Sequence, residues 1–179
     1  MKIVCDHCGE TFEDGRGWSC IVGDEDGSEI LGEAFDKDWM ELGGKHYCPD
    51  CYHWDDDDNI VCNDGRKFDG DTHELIDVPV NLNELKPGDV LAGGECIFIY
   101  KGVDYEGKFN GTNTAIIYYA CTNIKGGYTT IGPKIGVGGT ETTCIRYHQA
   151  YTDERELLFA KLREKGYEWN AKDLKLVKI

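Results

Sequence analysis

A chain of 179 residues with 40% hydrophobic content has the apolar material for one large packed domain or two small ones. It carries a net charge of −15, and no stretch reaches the roughly 18 to 20 apolar residues that cross a bilayer. The opening MKIVCDHC has no apolar run and no cleavage site, so the sequence predicts neither a membrane span nor a secretory signal. The charge is unevenly placed: residues 1–74 hold 6 Lys/Arg and 21 Asp/Glu, a net of −15, whereas residues 75–179 hold 13 of each. Two domains are expected, and the first is not built to neutralise phosphates, which needs Lys and Arg. Nine cysteines without an export signal point to reduced thiols in an intracellular, cytoplasmic protein, and so to metal binding over a disulfide framework.

The first cysteines, Cys5 and Cys8, form a C-x2-C pair followed by Gly9. A second pair, Cys48 and Cys51 with Pro49 between them, follows after 39 residues. Each pair suits a tight knuckle, because glycine tolerates positive φ and proline presets its own. Four thiolates in a tetrahedron make a closed structural zinc site with no position left for water. The spacer is longer than usual, but loop closure grows logarithmically and costs only about 0.7 kcal/mol more; a structural zinc contributes more than ten times that. His7, His46 and His53 flank the knuckles, which leaves a Cys3His set as the alternative. Cys20 and Cys62 read as small buried hydrophobes.

Between the pairs, residues 18–22 read as a strand, 23–28 as a turn, and 45–47 as a strand into the second knuckle. Residues 1–62 are therefore expected to form a small zinc-ribbon-like domain that relies on metal, since so short a region buries little. The run WDDDDN, 54–59, lacks the alternation of a calcium loop and reads as a solvated acidic connector. Residues 63–74, rich in Gly and Asp, read as a linker.

Residues 75–179 predict a small antiparallel β-barrel or bent sheet capped by a C-terminal helix and hairpin, giving an α+β, mainly β chain overall. A Pro-Gly turn at 87–88 feeds a first strand. Strands follow at 96–101, 114–122, 128–131 and 142–147, rich in β-branched and aromatic residues. The glycine-rich IGPKIGVGG, 131–139, fits neither phosphate-loop pattern and reads as a mobile hairpin loop. Asp153 with Glu156 suggests a capping box, Leu158 and Leu162 share a face, and Gly166 is a natural stop. The chain then predicts a hairpin about Asn170–Asp173.

The tail TDERELLFAKLREKGYEWNAKDLKLVKI, 152–179, resembles the ending of uncharacterised accessory proteins of tailed phages and prophages of gut bacteria. In that group the tail follows a small β-domain whose last strand resembles Cys144-Ile145-Arg146-Tyr147. The segments RGWSCIVGDEDGS and KHYCPDCY are similar to a small zinc-binding module from the same sources. The resemblance implies a phage-type accessory protein and brings no activity with it.

No residues assemble as an active site by pattern. Cys144 and His148 stand about 13 Å apart along one strand, too far for a nucleophile and its base. The leading expectation is a non-enzymatic binding protein whose acidic surface meets a basic host or phage protein, in one version by mimicking nucleic acid. The alternative is sequestration of a nucleotide-like molecule, with Tyr118 and Tyr128 stacking on the base and Lys134 and Arg146 meeting phosphates; an uncharacterised enzyme is the third.

Overall fold

The computed structural model describes residues 2–13, 34–81, 83–104, 115–125, 127–138 and 147–179. The strand, turn and Cys20 read within 14–33, and the strand 142–146 with Cys144 and Arg146, lie outside the described residues. The chain divides into two compact units, Met1–Ile76 and Asp77–Ile179. Both are mainly β, and no helix among the described residues is long and apolar enough to cross a membrane.

The first unit is assembled from short antiparallel pieces. β1 (Lys2–Val4) pairs with β2 (Thr11–Glu13), and β3 (Met40–Leu42) with β4 (Lys45–Tyr47). A three-stranded sheet follows, β5 (Tyr52–Trp54), β6 (Asn59–Cys62) and β7 (Lys67–Asp69). None of these strands exceeds four residues, so burial is collected at a few points: Ile3, Trp39, Leu42, Tyr47, Ile60 and Phe68 pack around the cysteines in one cluster. Cys62 joins that cluster as a buried thiol, as expected.

Two readings of this unit need correction. Residues 63–74 are not a linker: they contain β7, and Phe68 stands opposite Ile60 with its ring fully buried. One aromatic at the right register outweighs the flanking Gly and Asp. The acidic run is not a connector either, but the tight turn between β5 and β6. Asp55 organises it, accepting hydrogen bonds from the amides of Asp57 (3.0 Å) and Asn59 (2.9 Å), while Lys67 Nζ pairs with its Oδ2 at 2.6 Å. Lys67 first, then the Asn59 amide, holds the Asp55 carboxyl well below the usual carboxylate range.

Gly70, just past β7, packs tightly against the β5–β6 turn. A Cβ there would sit 2.1 Å from the Asp58 carbonyl oxygen and 2.6 Å from the Trp54 ring. Gly70→Ala is expected to destabilise the first unit by about 3 kcal/mol, the upper end for overpacking, because backbone must move. Gly102→Ala, whose added methyl meets nothing within 4 Å, is the control and is expected to be neutral or slightly stabilising. Denaturant unfolding of the two variants checks the contrast.

The second unit is an open sheet of five antiparallel strands in the order β11-β10-β9-β8-β12. These are β8 (Val90–Gly93), β9 (Cys96–Asp104), β10 (Ala115–Asn123), β11 (Thr129–Gly138) and β12 (His148–Gln149). Among the described residues β11 pairs only with β10 and β12 only with β8, so the sheet has two edges and the expected barrel is not closed. The glycine-rich segment is likewise not a loop: residues 131–138 continue β11. Pro133 falls in a break of the β10–β11 register, between Lys134 opposite Tyr118 and Ile131 opposite Ala120, where an edge strand tolerates a missing N–H. Register shifts in β10 around Tyr119 absorb the irregularity: Tyr118 stands opposite Tyr100, but Ala120 already stands opposite Ile99.

Alternation then gives the sheet two buried faces. Val90, Ala92, Ile97, Ile99 and Ala120 meet Leu158 and Leu162 of α1 (Thr152–Glu164). The other face gathers Leu91, Phe98, Tyr100, Ile116, Tyr118, Cys121 and Tyr147. α1 starts two residues earlier than the capping pattern suggests: Tyr151 is the cap residue, and its amide donates to Glu154 Oε2 at 2.8 Å. Gly166 takes φ 79° just past the helix, and its amide donates to the Arg163 carbonyl at 2.9 Å. The hairpin of β13 (Tyr167–Asn170) and β14 (Lys175–Lys178) follows as predicted, laying Trp169 and Leu176 against the α1 side of the sheet.

Candidate metal centre

Each C-x2-C pair sits where a short strand ends in a turn. Cys5 follows β1, and the Gly9 amide closes the first knuckle on the Cys5 carbonyl at 2.9 Å, with Gly9 at φ 78°. Cys48 follows β4 and enters a 3₁₀ turn, Pro49–Cys51, whose Cys51 amide returns to the Cys48 carbonyl at 2.9 Å. Two bonds tie the knuckles together: the Asp6 amide donates to the His46 carbonyl at 2.8 Å, and the His46 amide to Asp6 Oδ2 at 2.7 Å.

This framework brings Cys5, Cys8, Cys48 and Cys51 together, with all four sulfurs within 4.8 Å of one another. Cys8 Sγ and Cys48 Sγ are 3.6 Å apart. A tetrahedron with metal–sulfur bonds of about 2.3 Å has edges of about 3.8 Å, so the set fits a four-coordinate thiophilic ion. Backbone amides already point at the sulfurs: Cys48 N to Cys5 Sγ and Glu10 N to Cys8 Sγ, each 3.4 Å. Cys5, Cys48 and Cys51 are buried, whereas Cys8 is exposed. Burial pushes the Cys5 thiol up, but amides of Cys48, Cys8 and His7 outweigh it and bring it down to about 7. Burial dominates at the second knuckle, with Cys48 pushed up to about 11 and Cys51 higher still. Four sulfurs gathered in a largely dry pocket can hold a metal ion, and the set leaves no open position for a reacting water.

The histidines do not enter this set. His46 instead faces carboxylates, Nδ1 lying 3.8 Å from Asp6 and Nε2 4.0 Å from Glu41.

The residues proposed for a nucleotide are dispersed in character. Tyr118 is buried in the sheet core, its ring 6.3 Å from that of Phe98, and Tyr100 and Tyr147 are buried with it. Their faces are occupied, so they are unavailable for stacking on a base. Tyr128 is exposed. Lys134 stands opposite Tyr118 in the β10–β11 register, and Arg146 lies outside the described residues.

One pairing escaped the sequence. His148 has a carboxylate partner: its Nε2 lies 3.0 Å from Glu154 Oε2, and its ring stacks on Tyr151 at 4.5 Å. The contact spans the corner between β12 and α1, where no periodicity links the two residues. The Tyr151–Glu154 capping spacing was the one local signal available.

Comparison of the chain with protein-family models, with curated proteins and with solved structures finds no match in any of the three.

Proposed function

We propose that this is a non-enzymatic binding protein whose four-cysteine centre holds a structural zinc ion, and whose acidic first unit docks on a basic protein surface. The carrying observation is the coincidence of the closed Cys5/Cys8/Cys48/Cys51 cluster with the whole net charge of the chain. A metal-organised unit of this size has a rigid surface without a large core. Here that surface displays Asp56, Asp57 and Asp58 at a turn stiffened by Asp55. Zinc is favoured over harder ions by the all-sulfur set and over catalytic metals by its closure.

The resemblance of the tail to phage and prophage accessory proteins supports a host target, and the charge supports a partner that normally grips nucleic acid. In that reading the protein occupies a host protein's nucleic-acid groove. Competition binding tests this: with purified host DNA-binding proteins, the chain is expected to displace duplex DNA and to bind more weakly as salt rises. Absence of displacement, or affinity indifferent to salt, overturns the mimicry.

A further inference from the structure

The sheet face turned away from α1 carries a thiol pair that the four-cysteine centre does not use. Cys96 opens β9 and Cys121 lies on β10; the register sets Cys96 opposite Asn123 and Cys121 opposite Phe98. The two thiols are therefore diagonal neighbours on one face, in the cluster with Phe98, Tyr118 and Tyr147. Asn123 Nδ2 donates to Cys96 Sγ at 3.7 Å. Tyr147 is only 1% exposed, and among the described residues its hydroxyl has no hydrogen-bond partner. Burial first, then the nearby Cys96 and Cys121 sulfurs, keeps that phenol protonated. Burial first, then Cys96, pushes the Cys121 thiol up to about 12. Two sulfurs share one face, one of them already accepts from a side-chain amide, and both keep their protons until a thiophilic ion displaces them.

Three occupants are conceivable, and geometry separates them. Zinc takes four ligands, and among the described residues no third Cys, His, Asp or Glu joins these two in a metal-ligating group. A disulfide needs Cα atoms within about 7 Å, whereas diagonal cross-strand neighbours stand about 7–8 Å apart, so closure would drag the backbone. An ion inserted between the sulfurs adds two metal–sulfur bonds to the bridge, which relaxes the Cα spacing that a direct S–S bond demands. We propose that Cys96 and Cys121 form a second metal site, taking one thiophilic monovalent ion of the copper(I) class between their two thiolates. Two thiol protons leave as the ion enters, the complex carries one net negative charge, and Asn123 donates to the Cys96 sulfur. This site stands independently of the zinc proposal.

The test titrates the full chain with copper(I) under anaerobic conditions, buffered by a competing chelator, and counts bound metal by native mass spectrometry. Whatever the Cys5–Cys51 centre holds, Cys96→Ser and Cys121→Val are each expected to bind one copper fewer than the wild type. X-ray absorption is expected to show one population of copper with two sulfur neighbours, present in the wild type and absent from Cys96→Ser. Equal copper counts in wild type and both cysteine variants overturn the proposal. So does a Cys96–Cys121 disulfide, read as a loss of two hydrogens, in place of copper uptake.

Discussion

Stripped of metal by a strong chelator, the protein is expected to lose the folded structure of its first unit while the second unit still melts cooperatively. The reason is the distribution of cores. In the first unit three of the four ligand cysteines, Cys5, Cys48 and Cys51, are themselves part of the only hydrophobic cluster among its described residues, alongside Ile3, Tyr47, Ile60 and Phe68. The strands around them are three or four residues long and add little burial of their own. A structural zinc supplies about 10–16 kcal/mol of apparent binding free energy, more than the whole stability of a typical domain of this size. The second unit has two clusters of its own and no stake in the metal. Far-UV circular dichroism with a thermal scan checks this: two transitions in the loaded protein, one after chelation. Cys48→Ser is expected to reproduce the chelated state. Two transitions persisting after complete metal removal would show that the four sulfurs are a core and not a ligand set.

The same centre has a pH signature. Cys48 and Cys51 hold their protons at neutral pH, because burial raises both thiols. Metal must displace those protons, so affinity falls as pH falls. The two protons from Cys48 and Cys51 alone give about a hundredfold weaker binding per pH unit near pH 7, and the other two thiols can only steepen that slope, which competition with a zinc-binding dye measures directly.

What could be read in the sequence was whatever local chemistry decides. The two C-x2-C pairs announced themselves because sulfur, glycine and proline in that order have few other uses, and the structure gathers all four thiols. Strands β9 and β10 and the final hairpin were legible because they are rich in β-branched and aromatic residues and their turns carry Gly or Asn. The errors share a cause: Gly, Asp and Pro were read as punctuation where pairing at a distance governs. Phe68 needs Ile60 across the sheet to make residues 67–69 a strand. Residues 131–138 become a strand because β10 offers its edge. His148 meets Glu154 only once α1 folds back at the end of β12. The predicted barrel failed for a related reason, since strand count and spacing do not say whether the first and last strands meet.

The largest single-residue effect in the second unit is expected at Phe98. β9 lies between β8 and β10, and Phe98 is its fully buried residue on the face away from α1. Its ring meets Tyr147 edge-on, with centroids 5.3 Å apart and planes at 89°, and lies tilted against Tyr118. Phe98→Ala removes the ring and leaves a cavity that neighbours fixed in a sheet cannot collapse to fill, a cost of about 3–5 kcal/mol. Loss of the two aromatic contacts adds about 0.5–1.5 kcal/mol for each pair. In a unit of this size, about 4 °C of melting temperature goes with each kcal/mol, so the second transition is expected to fall by roughly 15 °C or more. Ile97→Val, on the opposite face of the same strand, is expected to cost only about 0.5–1.5 kcal/mol. Because the first unit has its own cluster, its transition is expected to stay in place in both variants. A Phe98→Ala protein that lost both transitions together would show that the two units unfold as one cooperative body.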